Sequence, residues 1–143
     1  MNVWRVVICL SLAAIGMGQQ ANRVYPGARI DQAATNTART VASSRPDFET
    51  TVYTSTDSFD RVYAFFKRTA KEYKVIGSGV RKLPNGQTLQ DAFFLLDSAP
   101  SLADSKRWVK IQRPYIGEYG LAHGTPTKDD VRDITAIILV RKK

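Results

Sequence analysis

The chain has 143 residues, and its 21 basic and 13 acidic side chains give it a formal net charge of +8 at neutral pH. A chain of this length can bury one hydrophobic core, and a single cysteine excludes a small scaffold held together by disulfides. The excess of positive charge favours partners that carry phosphate, carboxylate or sulfate groups.

The first 18 residues are predicted to be a secretory signal peptide. Arg5 provides a short basic start, an apolar run follows it, and Gly16 and Gly18 are small residues that suit cleavage after Gly18. Cleavage removes Cys9 and leaves a chain without cysteine, which we expect to be secreted or periplasmic. The alternative is a retained membrane anchor, although the apolar run is short for a bilayer span.

Residues 19–46 are predicted to be a tether or a weak helix that precedes the folded domain. Small and polar residues dominate this segment, and Ala34 and Ala38 offer only a weak apolar face. Pro46 ends the segment, so we expect a single α+β domain over residues 47–143.

One strand and one long helix open the predicted domain. Residues 48–54 are rich in β-branched and aromatic side chains, which is typical of a strand. From Ser58 to Tyr73, apolar residues recur at steps of three and four, which predicts an amphipathic helix. Cations are concentrated toward the C-terminal end of this helix, where they complement its dipole.

Four further strands are predicted after the helix. The first two, residues 80–83 and 87–97, flank an Asn-Gly pair, a pattern typical of a β-hairpin. The third lies within residues 106–115, and the last covers residues 133–141. The predicted fold is thus α+β, with a mostly antiparallel sheet of about five strands, one long helix packed on one face, and the order β-α-β-β-β-β.

Both faces of this sheet are expected to carry apolar side chains. Residues 93–96 and 137–139 are apolar without a break, whereas a strand that is solvated on one face alternates. One helix covers one face only. We expect the other face to be closed by the N-terminal segment, by strand curvature, by a second subunit or by a ligand, and closure within the chain is favoured.

Few residues offer catalytic or metal-binding chemistry. His123 is the only histidine, and it lies in a predicted loop without a nucleophile motif elsewhere in the chain. One histidine cannot start a zinc site, and Asp129, Asp130 and Asp133 do not follow the calcium-loop pattern. We therefore predict no metal, no cofactor and no catalytic residue, and a non-enzymatic role is favoured.

The segment KRWVKIQRPY, residues 106–115, is the strongest candidate for a binding surface. It carries four basic and two aromatic side chains and no acid. Strand alternation predicts that Trp108 and Lys110 lie on one face, and an aromatic ring beside cations can bind sugars, bases or head groups. The alternative is an ordinary solvated strand face. The predicted binding residues are Arg107, Trp108, Lys110, Arg113 and Tyr115.

Three stretches resemble a group of small exported bacterial proteins. They are YPGA at residues 25–28, YTSTDSFDRVYAFFK at residues 53–67 and WVKIQRPYIG at residues 108–117. That group pairs an N-terminal YPGA with a helix start of the form T-x-D-S-F-x-x-V-x-x-F-Y-K, and Phe66 stands here where a tyrosine is usual. The resemblance implies export and an α+β layout. The segment VYAFFK is also similar to the helix of glyoxalase-type (vicinal oxygen chelate) modules, which hold a metal with strand His and Glu residues, and Glu49 is the only Glu on the strands predicted here.

Together these features predict an exported, non-catalytic binding or interaction module for an anionic partner at the cell envelope. We expect this partner to be an anionic glycan, an anionic lipid surface or an acidic protein, and nucleic acid is not favoured outside the cytosol. Two alternatives stay open. One is a small enzyme that uses His123 or a carboxylate, and the other is a self-associating structural protein that buries its second sheet face in a homodimer.

Overall fold

The computed structural model describes residues 24–41, 47–117 and 131–143. Within these ranges, seven strands and two helices follow one another in the order β-α-β-α-β-β-β-β-β. The helices are α1 (Gln32–Val41) and α2 (Phe59–Thr69). The strands are β1 (Arg29–Ile30), β2 (Phe48–Ser55), β3 (Lys71–Tyr73), β4 (Val80–Lys82), β5 (Thr88–Leu95), β6 (Arg107–Arg113) and β7 (Thr135–Lys142).

The protein combines helices with an antiparallel sheet, but the predicted layout of about five strands and one long helix is wrong. The sheet has seven strands in the order β1-β2-β7-β6-β5-β3, with β4 also paired to β5, and two short helices accompany it. Five of the strands lie where the sequence predicts strands. The other two, β1 and β3, have only two and three residues, too few to show the period of a strand, so they form through pairing with longer neighbours.

The first difference concerns the end of the main helix. The sequence predicts a helix as far as Tyr73, whereas α2 ends at Thr69. Ala70 is extended, with φ of −146° and ψ of 167°, and the chain then pairs with β5, where Tyr73 lies opposite Phe93. Apolar residues continue at helical spacing beyond Thr69, so this pattern does not indicate where the helix ends. Strand pairing at the sheet edge, a long-range contact, ends the helix.

The apolar side of α2 packs on one face of the sheet. Ser58 caps the helix, and its hydroxyl accepts a hydrogen bond from the backbone N–H of Arg61 at 3.3 Å. Phe59, Val62 and Phe66 are buried along one side of the helix. The core beneath them contains Tyr25, Ala92, Phe94, Val109, Ile111 and Ile137.

The N-terminal segment provides a second helix that packs on the opposite face of the sheet. Asp31 caps α1, because its carboxylate accepts a hydrogen bond from the backbone N–H of Ala34 at 2.9 Å. Ala34 and Ala38 are buried in a separate apolar cluster. Alternation along β7 places Ile137 under α2 and its neighbour Ala136 under α1. The other members of the α1 cluster are Val52, Tyr115, Ile134 and Ile138.

The same helix also completes the outer edge of β2. β1 pairs with residues 53 and 54 only, which leaves the preceding backbone groups of β2 without a strand partner on that side. The hydroxyl of Thr35 accepts a hydrogen bond from the N–H of Val52 at 2.9 Å and lies 3.4 Å from the carbonyl oxygen of Val52. Side chains of α1 therefore replace a neighbouring strand, and the edge is closed to pairing with another chain.

The two helices contact different strands of the sheet. α2 contacts β3, β5 and β6, whereas α1 contacts β2 and packs on the residues of β7 that face it. The second sheet face is thus covered within the chain along β2 and β7. This arrangement leaves the ends and the β3–β4 edge of the sheet as its most accessible parts.

Candidate anion-binding site

The predicted binding residues lie on β6 and just after it, but they are divided between the two faces of the sheet. Val109 belongs to the core under α2, so its neighbours Trp108 and Lys110 lie on the opposite, α1 side. Arg107 and Arg113 alternate with these residues and lie on the α2 side. The strip of residues 106–115 is therefore not one continuous surface.

Arg113 connects the beginning of α2 to the beginning of β7. Its Nη1 donates hydrogen bonds to the carbonyl oxygen of Asp57 at 2.9 Å and to the hydroxyl of Thr135 at 3.2 Å. Its Nη2 lies 3.0 Å from a carboxylate oxygen of Asp133. Both terminal nitrogens of the guanidinium group have partners within the protein, so Arg113 stabilises the fold.

Tyr115 is buried in the α1 cluster. Its backbone pairs with Arg132, whose guanidinium carbon lies 5.9 Å from the centre of the tyrosine ring. The ring is thus packed between the sheet and this arginine, and its faces are not open to a ligand.

Lys110 contacts a carboxylate and an aromatic ring within the protein. Its ammonium nitrogen lies 3.7 Å from Asp91 and 5.5 Å from the centre of the Phe93 ring. Asp91 is buried and also accepts two hydrogen bonds from Arg81, at 3.0 and 3.1 Å. Only 19% of the Lys110 side chain is exposed, so it is a weak candidate for contact with a partner.

Arg107 and Trp108 lie instead at an end of the sheet where cations from α1, β6 and β7 meet. Here β6 begins, β7 ends and β2 begins, and the N–H of Lys142 donates to the carbonyl oxygen of Lys106 at 2.8 Å. The N–H of Lys143 likewise donates to the carbonyl oxygen of Asp47 at 2.8 Å. We name this region the basic end, and its cations are Arg39, Lys106, Arg107, Arg141, Lys142 and Lys143.

Three side-chain carboxylates lie at the basic end: Asp47 is exposed, and Glu49 and Asp97 are held by internal hydrogen bonds. Glu49 accepts one from Arg141 at 2.6 Å, and this bond and the arginine charge lower the pKa of the Glu49 carboxyl. Burial raises the pKa of Asp97, but hydrogen bonds from the hydroxyl of Ser105 and the N–H of Lys106, both at 2.7 Å, outweigh burial and lower it. Both groups are therefore ionised at neutral pH and already committed to neighbours.

Three lysines at the basic end remain available. Lys106, Lys142 and Lys143 are exposed, and none of them forms an ion pair with a residue that the structure describes. Beside them, Phe48 and Trp108 form an edge-to-face aromatic pair with ring centres 5.3 Å apart. The basic end thus offers mobile ammonium groups next to partly exposed rings, a combination that can hold several negative charges together with an apolar or sugar surface.

The sequence analysis identified Arg107 and Trp108 but did not identify the other cations that lie beside them at the basic end. Lys142 and Lys143 lie about thirty-five residues further along the chain, and the antiparallel pairing of β6 with β7 brings them together. The run of basic residues that begins at the end of the last predicted strand, Arg141, Lys142 and Lys143, is the one signal that could have indicated this end.

Several predictions concern residues outside the described ranges. The signal peptide over residues 1–18, His123, Asp129 and Asp130 all lie outside them. In the ranges that are described, no group of three or more His, Cys, Asp or Glu side chains could hold a metal ion. Among the helices of these same ranges, none has the length and apolar character needed to cross a membrane.

The three stretches that carry the resemblance to small exported proteins meet at the beginning of α2. The hydroxyl of Tyr25 donates a hydrogen bond to Asp57 at 2.6 Å, and Arg113 donates to the carbonyl oxygen of the same residue. This junction ties the N-terminal turn, α2 and β6 together. The residues that carry the resemblance therefore have structural partners.

Comparison with known proteins assigns neither a family nor a function to the chain. No protein-family model matches the chain, and no curated protein or solved structure matches it either. The resemblances to small exported proteins and to glyoxalase-type modules therefore stay predictions.

Proposed function

We propose that the protein is an exported, non-catalytic module that binds an anionic partner at the basic end. The observation that supports this function is the meeting of Lys106, Lys142 and Lys143 beside Trp108. The nearby carboxylates Glu49 and Asp97 are engaged in internal hydrogen bonds, and the three ammonium groups form no ion pair within the described residues, so they can attract an outside charge.

The chemistry of these side chains favours a partner with several negative groups. Lysine ammonium groups are strongly hydrated point charges on flexible stems, so each contact alone is weak. Several contacts to one polyanion add together, and the net charge of +8 increases the local concentration of such a partner. An anionic glycan, an anionic lipid surface and an acidic protein share this chemistry.

A pair of charge-reversal variants tests this function. The double variant Lys106→Glu/Lys142→Glu changes the basic end, and Arg29→Glu/Lys82→Glu makes the same change in net charge elsewhere on the sheet. Arg29 and Lys82 are exposed and form no ion pair within the described part of the chain. We expect the first variant to bind a sulfated glycan, anionic vesicles or an acidic peptide about tenfold more weakly at low salt, and the second to lose about threefold or less with the glycan and the peptide.

Titration calorimetry or fluorescence anisotropy with these three probes measures the affinities, and thermal unfolding checks that both variants fold. Equal losses in the two variants would show that net charge alone attracts polyanions and that the basic end is not a site. Failure of the unmodified protein to bind any of the three probes at low salt would reject the function itself.

The two alternatives have less support from the geometry. The homodimer was suggested by a second apolar sheet face, and α1 covers that face along β2 and β7. The enzyme alternative stays a prediction, since His123 lies outside the described residues.

A further inference from the structure

Two large apolar side chains project into solvent at the edge of the sheet formed by β3 and β4. Ile76 is fully exposed, and Val80 keeps 73% of its surface exposed. Ile30, on β1 at the opposite edge, is 56% exposed. Exposed aliphatic side chains that lie singly are common, but two within five residues, one in the loop after β3 and one at the start of β4, form a small apolar projection. We name residues 75–80 the apolar tip.

The apolar tip contains a hydrogen-bonded β-turn. The N–H of Ser78 donates a hydrogen bond to the carbonyl oxygen of Val75 at 3.0 Å, which closes a β-turn with Ile76 at its first central position. The second central residue, Gly77, has φ of +82°, a value that glycine adopts without strain. The turn therefore holds Ile76 at its outermost point.

Two side chains, the buried Asp91 and the partly exposed Arg81, anchor the tip to the sheet. Asp91 accepts a hydrogen bond from the N–H of Gly79 at 2.8 Å, and its own N–H donates to the carbonyl oxygen of Gly79 at 3.1 Å. Arg81 donates to the carbonyl oxygen of Gly77 at 2.9 Å. These polar groups already have hydrogen-bond partners within the protein. The free-energy cost of moving them from water into a lipid layer of low dielectric constant is therefore small.

The surroundings of the tip are basic. Residues 71–82 contain four cations and one carboxylate. That carboxylate, Glu72, is 2.6 Å from the ammonium groups of both Lys67 and Lys74, so its charge is more than balanced. Lys82 is exposed just after the tip. An apolar projection with a cationic rim complements a bilayer that carries acidic head groups.

We propose that the apolar tip docks on an anionic lipid bilayer, with Ile76 and Val80 entering the boundary between head groups and acyl chains. This proposal specifies an anionic lipid bilayer as the partner. It rests on the proposed function in one respect, that the partner is negatively charged. It uses a different surface from the basic end, so the two can fail separately.

Vesicle binding tests the proposal with a matched pair of variants. Ile76→Ser removes the aliphatic side chain at the tip, and Ile30→Ser removes one from the opposite edge of the sheet. With vesicles of phosphatidylglycerol and phosphatidylcholine, we expect co-sedimentation of Ile76→Ser to require about tenfold more lipid, which corresponds to about 1.4 kcal/mol, because the variant loses the burial of one aliphatic side chain. Ile30→Ser should bind within about twofold of the unmodified protein, and all three should bind phosphatidylcholine vesicles weakly.

A depth measurement separates insertion from adsorption. In the variants Ile76→Trp and Ile30→Trp, the new indole reports its depth through quenching by brominated lipid. We expect stronger quenching than in the unmodified protein for Ile76→Trp and no increase for Ile30→Trp. Equal vesicle binding by the two serine variants, or no added quenching in Ile76→Trp, would overturn docking by the tip.

The outcomes also distinguish the two proposals. If Ile76→Ser binds vesicles as well as Ile30→Ser does, while Lys106→Glu/Lys142→Glu still loses affinity for a soluble sulfated glycan, the basic end remains a binding site and only the lipid proposal is lost. If lipid docking depends on Ile76 but the glycan does not bind, the proposed function of the basic end is lost and the tip is a separate membrane contact.

Discussion

Glu72 shows how a single residue couples the fold to pH. It accepts hydrogen bonds from the hydroxyl of Tyr63 at 3.0 Å and from the ammonium groups of Lys67 and Lys74 at 2.6 Å. Burial raises the pKa of the Glu72 carboxyl, but these three hydrogen bonds outweigh burial and lower the pKa from 4.5 to about 2. The ionised carboxylate therefore connects the end of α2 to β3.

The substitution Glu72→Gln tests this connection. With only 10% of the Glu72 side chain exposed, we expect the free energy of unfolding at neutral pH to fall by roughly 1–3 kcal/mol. Since the folded-state pKa lies below the unfolded value, the contribution is full above about pH 5 and disappears as the pH falls toward about 2. The unmodified protein and the variant should therefore converge in acid.

Urea unfolding at a series of pH values measures this convergence. Asp60→Asn is the control, because Asp60 is an exposed carboxylate of α2 without an ion pair in the described ranges. A stability difference between Glu72→Gln and the unmodified protein that stays constant from neutral to acid pH would contradict the role of the ionised carboxylate.

At the scale of elements, the docking of α1 depends on a polar contact as well as on small apolar side chains. Thr35 is buried, and its hydroxyl accepts the hydrogen bond of the Val52 N–H at 2.9 Å. In Thr35→Val the shape is kept and this acceptor is lost, so a buried N–H is left unsatisfied. We expect the free energy of unfolding to fall by about 1–3 kcal/mol and the amide of Val52 to exchange faster.

The matched control is Thr37→Val on the exposed side of the same helix. The hydroxyl of Thr37 bonds only to the carbonyl oxygen of Ala33, one turn back in α1. This change should alter stability by less than about 0.5 kcal/mol and leave the exchange of Val52 unchanged. Equal effects of the two substitutions would mean that α1 is held by its helical stability and not by the edge of β2.

The elements differ in how far sequence reasoning could find them. β2, β5, β6 and β7 each have seven or eight residues, long enough for composition and spacing to predict a strand. α1 was expected to be a tether or weak helix because alanine and threonine bury little surface. Its stability comes from Ala34 and Ala38 against the sheet and from the cap at Asp31, contacts that only the tertiary structure provides.

At the scale of the whole molecule, the net charge of +8 and the basic end should affect binding kinetics differently. Lys82 lies opposite Thr88, at the far end of β5 from Leu95, which is roughly 24 Å along the strand. Charge reversal there changes the long-range field but not the contacts at the basic end.

We therefore expect Arg29→Glu/Lys82→Glu to slow association with a sulfated glycan about two- to threefold at low salt and to leave dissociation unchanged. Lys106→Glu/Lys142→Glu should slow association and also speed dissociation. At about 0.15 M salt, where the Debye length is about 8 Å, the effect of the first variant should vanish. Surface plasmon resonance at two salt concentrations measures both rates, and faster dissociation of the first variant would show that its residues touch the ligand.

The sequence by itself determined the features that depend on neighbours a few residues apart. Composition set the net charge, helical spacing placed the start of α2 near Ser58, and alternation placed Trp108 and Lys110 on one side of β6. Only the tertiary structure decided which cations act together. Lys106 and Lys142 meet because β6 and β7 pair antiparallel in one register, and Arg113 turns inward because Asp57 and Thr135 lie within its reach. Such contacts join residues far apart in the chain, and no local pattern specifies their partners.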